Sequence, residues 1–335
     1  MRVLVKVLTV LSLLVNFSYS NVRDIIIDSD VGPDDWVAIS YLLSRPDINV
    51  LAITLTGTGV ADCSHGVKNV RGILAMGWPW NIPVVCGSNF AYKEENYKFP
   101  NDLRQMMNNI IDLKLPYNDS ELTKLAPSKT MAADLIVDIL KNSDSKIDIV
   151  EIGPYTNIAL ALDKDSSIVK SINSIYSMGG AIYVDGNIDP EFGKDYAEAN
   201  FASDPFAVKR VFETDIPITL VSLDATRFVP VNSQVLSKFE HINSTRGQFI
   251  YNVISGLLNI PNPDGWFFWD DLTAVVFTNP EIVKYKNVNL EVVVDDSPKQ
   301  GQTIVTDKGR KVRMITKVDT AGFESILAKT IKDYR

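Results

Sequence analysis

Two short acidic stretches hold the residues of this chain that are best suited to chemistry. Near the N-terminus, residues 28–35 read Asp-Ser-Asp-Val-Gly-Pro-Asp-Asp, and far downstream residues 269–271 read Trp-Asp-Asp. Carboxylates crowded into one turn repel one another, and a fold tolerates them when a cation lies among them. Ca²⁺ takes about six to eight oxygen ligands from carboxylates, carbonyls and water. Residues 28–35 therefore predict a divalent-cation site, with helix capping as the simpler alternative for one or two of the aspartates.

Hydrophobic runs rich in β-branched residues alternate along the chain with segments of helical periodicity. We predict strands at residues 24–28, 50–55, 82–86, 146–152, 172–178, 216–221 and 290–294. We predict helices at residues 34–43, 67–76, 130–141, 156–163, 204–212, 248–258 and 322–332. Several strands are apolar throughout, which is typical of parallel strands covered on both faces. The sequence therefore predicts an α/β fold, a single domain with an open, mostly parallel (Rossmann-like) sheet flanked by helices.

Polar or glycine-containing segments follow the predicted strands. Besides residues 28–35, they are residues 57–59, 152–154, 178–180 and 222–224. In open α/β sheets, ligands bind beyond the carboxyl ends of the strands. We therefore expect these segments to meet at one edge of the sheet and to form the site there.

The first twenty residues have the pattern of a secretory signal peptide. Arg2 and Lys6 supply the positive start before an apolar run at residues 7–15, and the small residues Ser18 and Ser20 favour cleavage near Ser20 and Asn21. The run is shorter than the roughly 20 residues of a membrane span. We predict a secreted protein with a signal peptide at 1–20 and one catalytic domain at 21–335. The net charge of −8 argues against nucleic-acid and membrane partners, which need basic surfaces.

Cysteine and glycosylation signals are few. Cys63 and Cys86 are the two cysteines, and they either form a disulfide or lie as small buried residues near strand ends. Asn118 and Asn243 begin Asn-x-Ser/Thr triplets, which are glycan acceptors in a secreted protein. Occupancy of the two acceptors stays open at this point.

Residues 28–35 and the apolar helix after them resemble the signature turn of the nucleoside hydrolase family, the inosine/uridine-type N-ribohydrolases. Further similar stretches follow in the family's order, at Gly153-Pro154 with Asn157, 178–180, Asn187, 197–200 with Asp204-Pro205, and 269–274. The matches span residues 24 to 280 or so, essentially the whole predicted catalytic domain. Each stretch alone is weak, but the ordered set is specific.

This resemblance implies a set of site residues. It implies a Ca²⁺ ion held by Asp30, Asp35, Asp270 and the backbone carbonyl of Ile152. Asp30 would also take the proton of the attacking water, and Asp34 would bind the ribose hydroxyls. The remaining ribose contacts that the resemblance implies, chiefly around the 5′-hydroxyl, come from Met178, Asn187, Glu198 and Asn200.

The residue before the last metal aspartate indicates the substrate class. Many nucleoside hydrolases have a histidine there, whereas this chain has Trp269, and its histidines, His65 and His241, lie elsewhere. The departure resembles the purine-specific (inosine–adenosine–guanosine) branch, where an aromatic sandwich holds the base, and Asp62 would contact the base. The second aromatic of that sandwich would fall near Leu103. Its possible replacements are Tyr92, Tyr97, Phe99, Trp266, Phe267 and Phe268.

The sequence thus predicts a secreted, calcium-dependent purine nucleosidase. It would cleave inosine, guanosine or adenosine to ribose and free base by water attack through an oxocarbenium-like transition state. The alternatives are a broad-specificity or pyrimidine nucleoside hydrolase, or a secreted protein that binds nucleosides without turnover. A haloacid-dehalogenase-type phosphohydrolase would match Asp28-x-Asp30, but it leaves the Trp-Asp segment unexplained. Family members are commonly homo-oligomers, so the resemblance also implies a homo-oligomer.

Overall fold

The computed structural model describes residues 22–79, 81–93, 104–105, 131–188, 196–262 and 264–333. Within these residues, one nine-stranded sheet has the order β3-β2-β1-β4-β5-β6-β9-β7-β8. Its strands are β1 (Arg23–Ser29), β2 (Ile48–Leu55), β3 (Val84–Cys86), β4 (Ile147–Glu151), β5 (Ile172–Met178), β6 (Ile218–Val221), β7 (Val283–Val292), β8 (Thr303–Val305) and β9 (Arg310–Val318). Strands β1 to β6 and β9 pair in parallel, whereas β7 is antiparallel to both β9 and β8.

Helices connect the parallel strands and cover both faces of the sheet. The α-helices with described bounds are α1 (Pro33–Leu43), α2 (Cys63–Ala75), α3 (Ala132–Asn142), α4 (Thr156–Lys164), α5 (Ala199–Ser203), α6 (Pro205–Phe212), α7 (Leu223–Thr226), α8 (Ser233–Ser237), α9 (Thr245–Leu258), α10 (Trp269–Thr278) and α11 (Thr320–Asp333). Two 3₁₀ turns add Ser166–Ser171 and Pro280–Ile282. In the described part of the chain, none of the helices combines the length and apolarity needed to cross a bilayer.

The alternation of side chains along β1 shows why the strand is apolar throughout. Ile25 and Ile27 pack into the core that α1, α9, α10 and α11 cover, while Ile26 packs into the opposite core beneath α3, α4 and α6. Successive side chains of a strand point to opposite faces, so a strand covered on both sides buries every residue. Polar functional groups of β1 are consequently expected at its carboxyl end, at the edge of the sheet.

The predicted architecture is confirmed: the fold is a single α/β domain with a mostly parallel sheet. Each predicted strand and helix is present; the strand at 172–178 has the predicted ends, and the ends of the others are shifted by at most seven residues. The prediction missed β8 and β9, and it placed only the end of β7. It also missed α10, which begins at Trp269, and the short helices α5, α7 and α8. The predicted signal peptide, Asn118, Tyr97, Phe99 and Leu103 lie outside the described residues.

Candidate active site

Asp34, Asp35 and Asp270 form the centre of an acidic site at the carboxyl edge of the sheet. Each offers a carboxylate oxygen, and these oxygens all lie within 4.8 Å of one another. Asp34 and Asp35 open α1, while Asp270 lies in the first turn of α10, and the two helices pack together on the same face of the sheet. The fold therefore joins the two acidic stretches from opposite ends of the chain.

The turn between β1 and α1 is built to orient Asp35. The Ser29 hydroxyl donates to Asp35 Oδ1 at 2.5 Å, and the Gly32 amide donates to Asp35 Oδ2 at 2.7 Å. Val31 adopts a positive φ of 64°, a conformation that a β-branched residue rarely adopts. Such strain costs about 1–3 kcal/mol and is kept where the surrounding structure fixes it, typically at functional sites. Pro33 then begins α1 with a preset φ.

Asp30 lies directly beyond β1, next to this group. The Val60 amide donates to Asp30 Oδ2 at 2.7 Å, which ties Asp30 to the loop after β2. A Cβ at Gly59 would lie 1.9 Å from Asp30 Oδ2, and one at Gly153 would lie 2.8 Å from the Asp30 amide nitrogen. Gly59 and Gly153, which lie against Asp30 in space, must therefore lack a side chain, because a Cβ at either position would collide with Asp30. Ile152 approaches from β4, where its amide donates to the Asp28 carbonyl at 2.8 Å.

Burial and mutual repulsion raise the carboxyl pKa values across the site. Burial raises the pKa of Asp30 to about 7 and that of Asp34 to about 6. Burial, followed by the charges of neighbouring aspartates, raises the pKa of Asp35 and Asp270 well above the ordinary value. Repulsion within such a cluster lowers the stability of the folded protein, so the cluster indicates a function rather than a structural role.

The donor set fits a hard divalent cation. The ion pairs found among the described residues do not join a Lys or Arg to Asp30, Asp34, Asp35 or Asp270. Asp271 adds a further buried carboxylate, and neither of its oxygens has a hydrogen-bond partner in the described structure. Oxygen ligands with several negative charges are what Ca²⁺ and similar ions prefer. A bound cation would supply the positive charge that this part of the fold lacks.

A second group of predicted residues lies across the site, beyond β5. Glu198 is fully buried, and its carboxylate accepts hydrogen bonds from the amides of Gly180, Asn200 and Phe201 at 2.9, 2.9 and 3.1 Å. Burial raises the pKa of Glu198 to about 7, and the negative charge of Asp34 adds to the effect. The Asn200 side chain donates to the Met178 carbonyl at 3.3 Å.

Asn187 is the one member of this second group that is exposed. Its Oδ1 accepts a hydrogen bond from the Ala199 amide at 2.9 Å at the start of α5. The structure therefore buries Met178, Glu198 and Asn200 and leaves Asn187 exposed. Their predicted contacts with ribose stay predictions.

Aromatic side chains flank the acidic centre at the start of α10. Trp269 is half-buried, and its ring lies 5.9 Å from the rings of both Trp266 and Phe267. Phe268 is buried against Phe323 at 5.6 Å and is therefore unavailable to a substrate. Tyr92 points elsewhere too, since its hydroxyl bonds with Asp163. Of the described candidates for an aromatic partner, Trp266 and Phe267 remain next to Trp269.

Asp62 and the cysteines occupy the loop after β2. Asp62 is half-buried at the start of α2, with Arg104 Nη1 at 3.4 Å and His65 Nδ1 at 3.9 Å from its carboxylate oxygens. Cys63 and Cys86 are joined in a disulfide with a Cα–Cα distance of 5.6 Å, which decides between the two alternatives. The disulfide fastens the start of α2, and with it Asp62, to the end of β3.

Sequence reasoning missed a buried acidic layer beneath the site. Asp28 and Glu151 pair across β1 and β4, and both are fully buried. The Asn157 amide group donates to Asp28 at 2.8 Å, so this first aspartate of residues 28–35 is used inside the fold. Burial raises the pKa of Asp28 to about 7, and burial together with the Asp28 charge raises that of Glu151. The sequence feature that could have indicated this buried layer is the single glutamate, Glu151, at the otherwise apolar end of β4.

Comparison with known proteins assigns the family. The model of the inosine-uridine preferring nucleoside hydrolase family matches residues 25–325 of the chain. The chain belongs to this family. This nucleoside hydrolase is thus an enzyme that hydrolyses N-glycosidic bonds of nucleosides, and the predicted family is confirmed. Enzymes of the family are typically metal-dependent, and Asp34, Asp35 and Asp270 form a group whose carboxylate oxygens could hold a metal ion.

Individual relatives differ in the substrate that their names give. A pyrimidine-specific ribonucleoside hydrolase RihA of Escherichia coli is 27% identical to the chain over 329 residues, covering 92% of the chain and 98% of the relative. The solved structure of a purine-preferring ribonucleoside hydrolase from Gardnerella vaginalis is 26% identical with a TM-score of 0.78, covering 92% and 98% of the two chains. An inosine-uridine preferring nucleoside hydrolase from Bacillus anthracis shares the fold, with a TM-score of 0.82, 24% identity and coverage of 92% and 99%.

Proposed function

We propose that this nucleoside hydrolase is a secreted, calcium-dependent purine nucleosidase that cleaves inosine, guanosine and adenosine. The observation that carries the proposal is the meeting of three carboxylates within 4.8 Å beside Trp269, with the buried Glu198 beyond the end of β5. This arrangement offers separate places for a cation with a sugar diol, for the 5′ end of the ribose and for a flat base.

Different residues of the acidic site have different roles in the proposed reaction. When bound, a calcium ion supplies positive charge to the acidic centre and lowers the pKa of a nearby water. Asp30, whose pKa is raised to about 7 by burial, accepts the proton of the water that attacks C1′. Asp34 and Glu198 bind ribose hydroxyls, and their negative charges favour the oxocarbenium-like sugar of the transition state. The electron pair of the C1′–N bond leaves with the base.

Purine preference is proposed from the aromatic residues. The half-buried Trp269, with the Trp266 and Phe267 rings inclined to it at 73° and 54°, offers one flat aromatic face for a base, and base–aromatic stacking contributes about 1–3 kcal/mol per base. The pyrimidine-specific relative from Escherichia coli supports the second candidate, a pyrimidine or broad-specificity nucleosidase. Relative rates on inosine and uridine discriminate the two.

Secretion is proposed from the N-terminal sequence and from the disulfide. Residues 1–20 have the pattern of a signal peptide, and the Cys63–Cys86 disulfide is typical of oxidising compartments. Glycans on Asn118 and Asn243 would follow from secretion, and Asn243 is exposed. N-terminal sequencing of the protein from the medium of expressing eukaryotic cells should begin near Asn21. A product retained inside the cells with residues 1–20 intact would contradict secretion.

A reducing-sugar assay tests the proposed reaction. We expect ribose release from inosine, guanosine and adenosine, much slower release from uridine, and loss of all activity in chelator that added Ca²⁺ restores. Asp30→Ala should remove turnover while the protein still folds, and its retained nucleoside binding separates catalysis from sequestration. Equal rates on uridine would contradict the purine preference. Absence of ribose from every nucleoside would favour the non-catalytic alternative.

A further inference from the structure

Arg104 brings a guanidinium group to the loop that contacts the general base. Its Nη2 donates to the Gly59 carbonyl, and its Nη1 lies 3.4 Å from Asp62 Oδ1. Gly59 is the residue that lies against Asp30, and the Val60 amide beside it binds the Asp30 carboxylate. The Arg104 side chain is only 15% exposed, so it lies within the structure rather than on the solvent side of Asp62.

The sheet order relates Arg104 to one part of a nucleoside bound in the proposed orientation. Strand β2 lies on one side of β1, whereas β4 and β5 lie on the other. Glu198 and Asn200 lie beyond β5, so a ribose whose diol is at the acidic centre directs its 5′ end towards them. On the furanose ring C1′ and C4′ lie on either side of the ring oxygen, and C4′ carries the 5′ group. The base on C1′ is therefore directed towards the loop after β2, where Arg104 lies.

The chemistry of arginine limits its role there. A guanidinium group does not lose its proton in a protein, so it does not act as a general acid. It donates charge-assisted hydrogen bonds in a rigid fork, and that fork matches the N7 and O6 acceptors of guanine. Hypoxanthine presents the same two acceptors. Adenine presents an amino donor at position 6, and pyrimidines have no N7.

We propose that Arg104 is a specificity-determining residue that binds the N7 and O6 edge of a 6-oxopurine base and stabilises it as it departs. The inference rests on the proposed function and names inosine and guanosine as the preferred substrates. Water gives its hydroxyl to C1′ and its proton to Asp30, and the C1′–N9 electron pair leaves with the base. The guanidinium stabilises the resulting negative charge until solvent protonates the base. Asp62 holds Arg104 in orientation.

The experiment compares three substrates in the full chain with calcium present. They are inosine, adenosine and 4-nitrophenyl β-D-ribofuranoside, whose leaving group departs without stabilisation by the enzyme. Arg104→Gln should lower kcat/KM on inosine by about 10- to 100-fold, the usual effect of losing a charged hydrogen bond. Its effect on adenosine and on the nitrophenyl riboside should stay within about threefold. Arg104→Lys keeps the charge without the fork, so it should lose the preference for inosine over adenosine.

Arg45→Gln is the matched control, because Arg45 pairs with Asp47 at 2.7 Å between α1 and β2, at the opposite end of the strands. It should leave all three rates unchanged. Equal losses on all three substrates in Arg104→Gln, or no loss, would overturn the inference. Loss in His65→Gln with no loss in Arg104→Gln would instead assign the leaving base to His65.

A measurement on the wild-type protein tests the inference even if the Arg104 variants fail to fold. 7-Deazainosine lacks N7, so the wild-type enzyme should cleave it at least tenfold more slowly than inosine, and an equal rate would overturn the role of the fork. Failure of the proposed function has a different result, since the wild-type enzyme would then release no ribose from either purine nucleoside. If the wild-type enzyme cleaves inosine and Arg104→Gln has the same kinetics, the inference about Arg104 is rejected but the proposed function is not.

Discussion

Replacing Asp30 by asparagine should stabilise the protein without calcium and remove its stabilisation by calcium. Burial and the neighbouring charges of Asp34 and Glu198 raise the pKa of Asp30 from 3.8 to about 7. A raised pKa means that the folded state holds the proton more tightly than the unfolded state. The resulting stability is complete below pH 3.8 or so and is lost as the pH rises through about 7. Asparagine has no such loss, and its oxygen still accepts from the Val60 amide.

The size of the effect follows from the two pKa values. Each pH unit between them costs the wild-type protein about 1.4 kcal/mol relative to Asp30→Asn. Between pH 5 and pH 8, the pKa of about 7 leaves roughly two such units. In chelator, the stability advantage of Asp30→Asn should therefore grow by about 3 kcal/mol over this interval. Calcium at about 100 times its Kd adds about 2.7 kcal/mol to a protein that binds it, so it should favour the wild type.

Urea unfolding at pH 5 and pH 8, each with chelator and with calcium, measures all four free energies of unfolding. The exposed Asp307, replaced by asparagine, serves as the control and should match the wild type throughout. The reasoning is refuted if Asp30→Asn in chelator at pH 8 is no more stable than the wild type. It is also refuted if calcium stabilises both proteins equally.

Three further changes test other parts of the site. Trp269→Ala should lower kcat/KM on inosine about 10- to 100-fold through lost stacking, measured against an unchanged rate on 4-nitrophenyl ribofuranoside. Glu198→Gln should lower inosine cleavage at least tenfold but leave 5′-deoxyinosine unaffected; equal losses on both would contradict a contact with the 5′-hydroxyl. Cys63→Ser with Cys86→Ser should lower the free energy of unfolding by about 3 kcal/mol because the disulfide closes a loop of 23 residues, and unchanged calorimetric stability would contradict this.

The parallel core of the fold was predictable because its strands are buried on both faces. Residues 25–27 are three isoleucines, and such runs have few alternatives to a central strand. Strand β9 was missed because it is half exposed and carries Arg310, Lys311, Arg313 and Lys317 among its apolar residues. Helix α10 was missed because its first turn, Trp269-Asp270-Asp271, was interpreted only as chemistry. Acidic residues in a first turn also favour a helix N-terminus.

The acidic centre could be predicted in part. The spacing of residues 28–35 indicated a cation site, but only the packing of α1 against α10 decides that Asp34 lies in the same group as Asp35 and Asp270. The buried Asp28 and Glu151 pair depends on strand register, which a single sequence does not give. Arg104 likewise meets Asp62 only through tertiary structure, because 41 residues separate them along the chain. Contacts between distant segments are the part of the site that periodicity does not encode.

Calcium titration of the chelated protein by isothermal calorimetry at pH 7.5 tests the central claim most directly. The claim is that carboxylates from the start of α1 and the start of α10 bind one divalent cation together. The wild type should bind one calcium ion per chain, and Asp270→Asn, with an unchanged circular dichroism spectrum, should bind it at least 100-fold more weakly. A wild type that binds no calcium, or an Asp270→Asn variant that binds it equally well, would contradict the account.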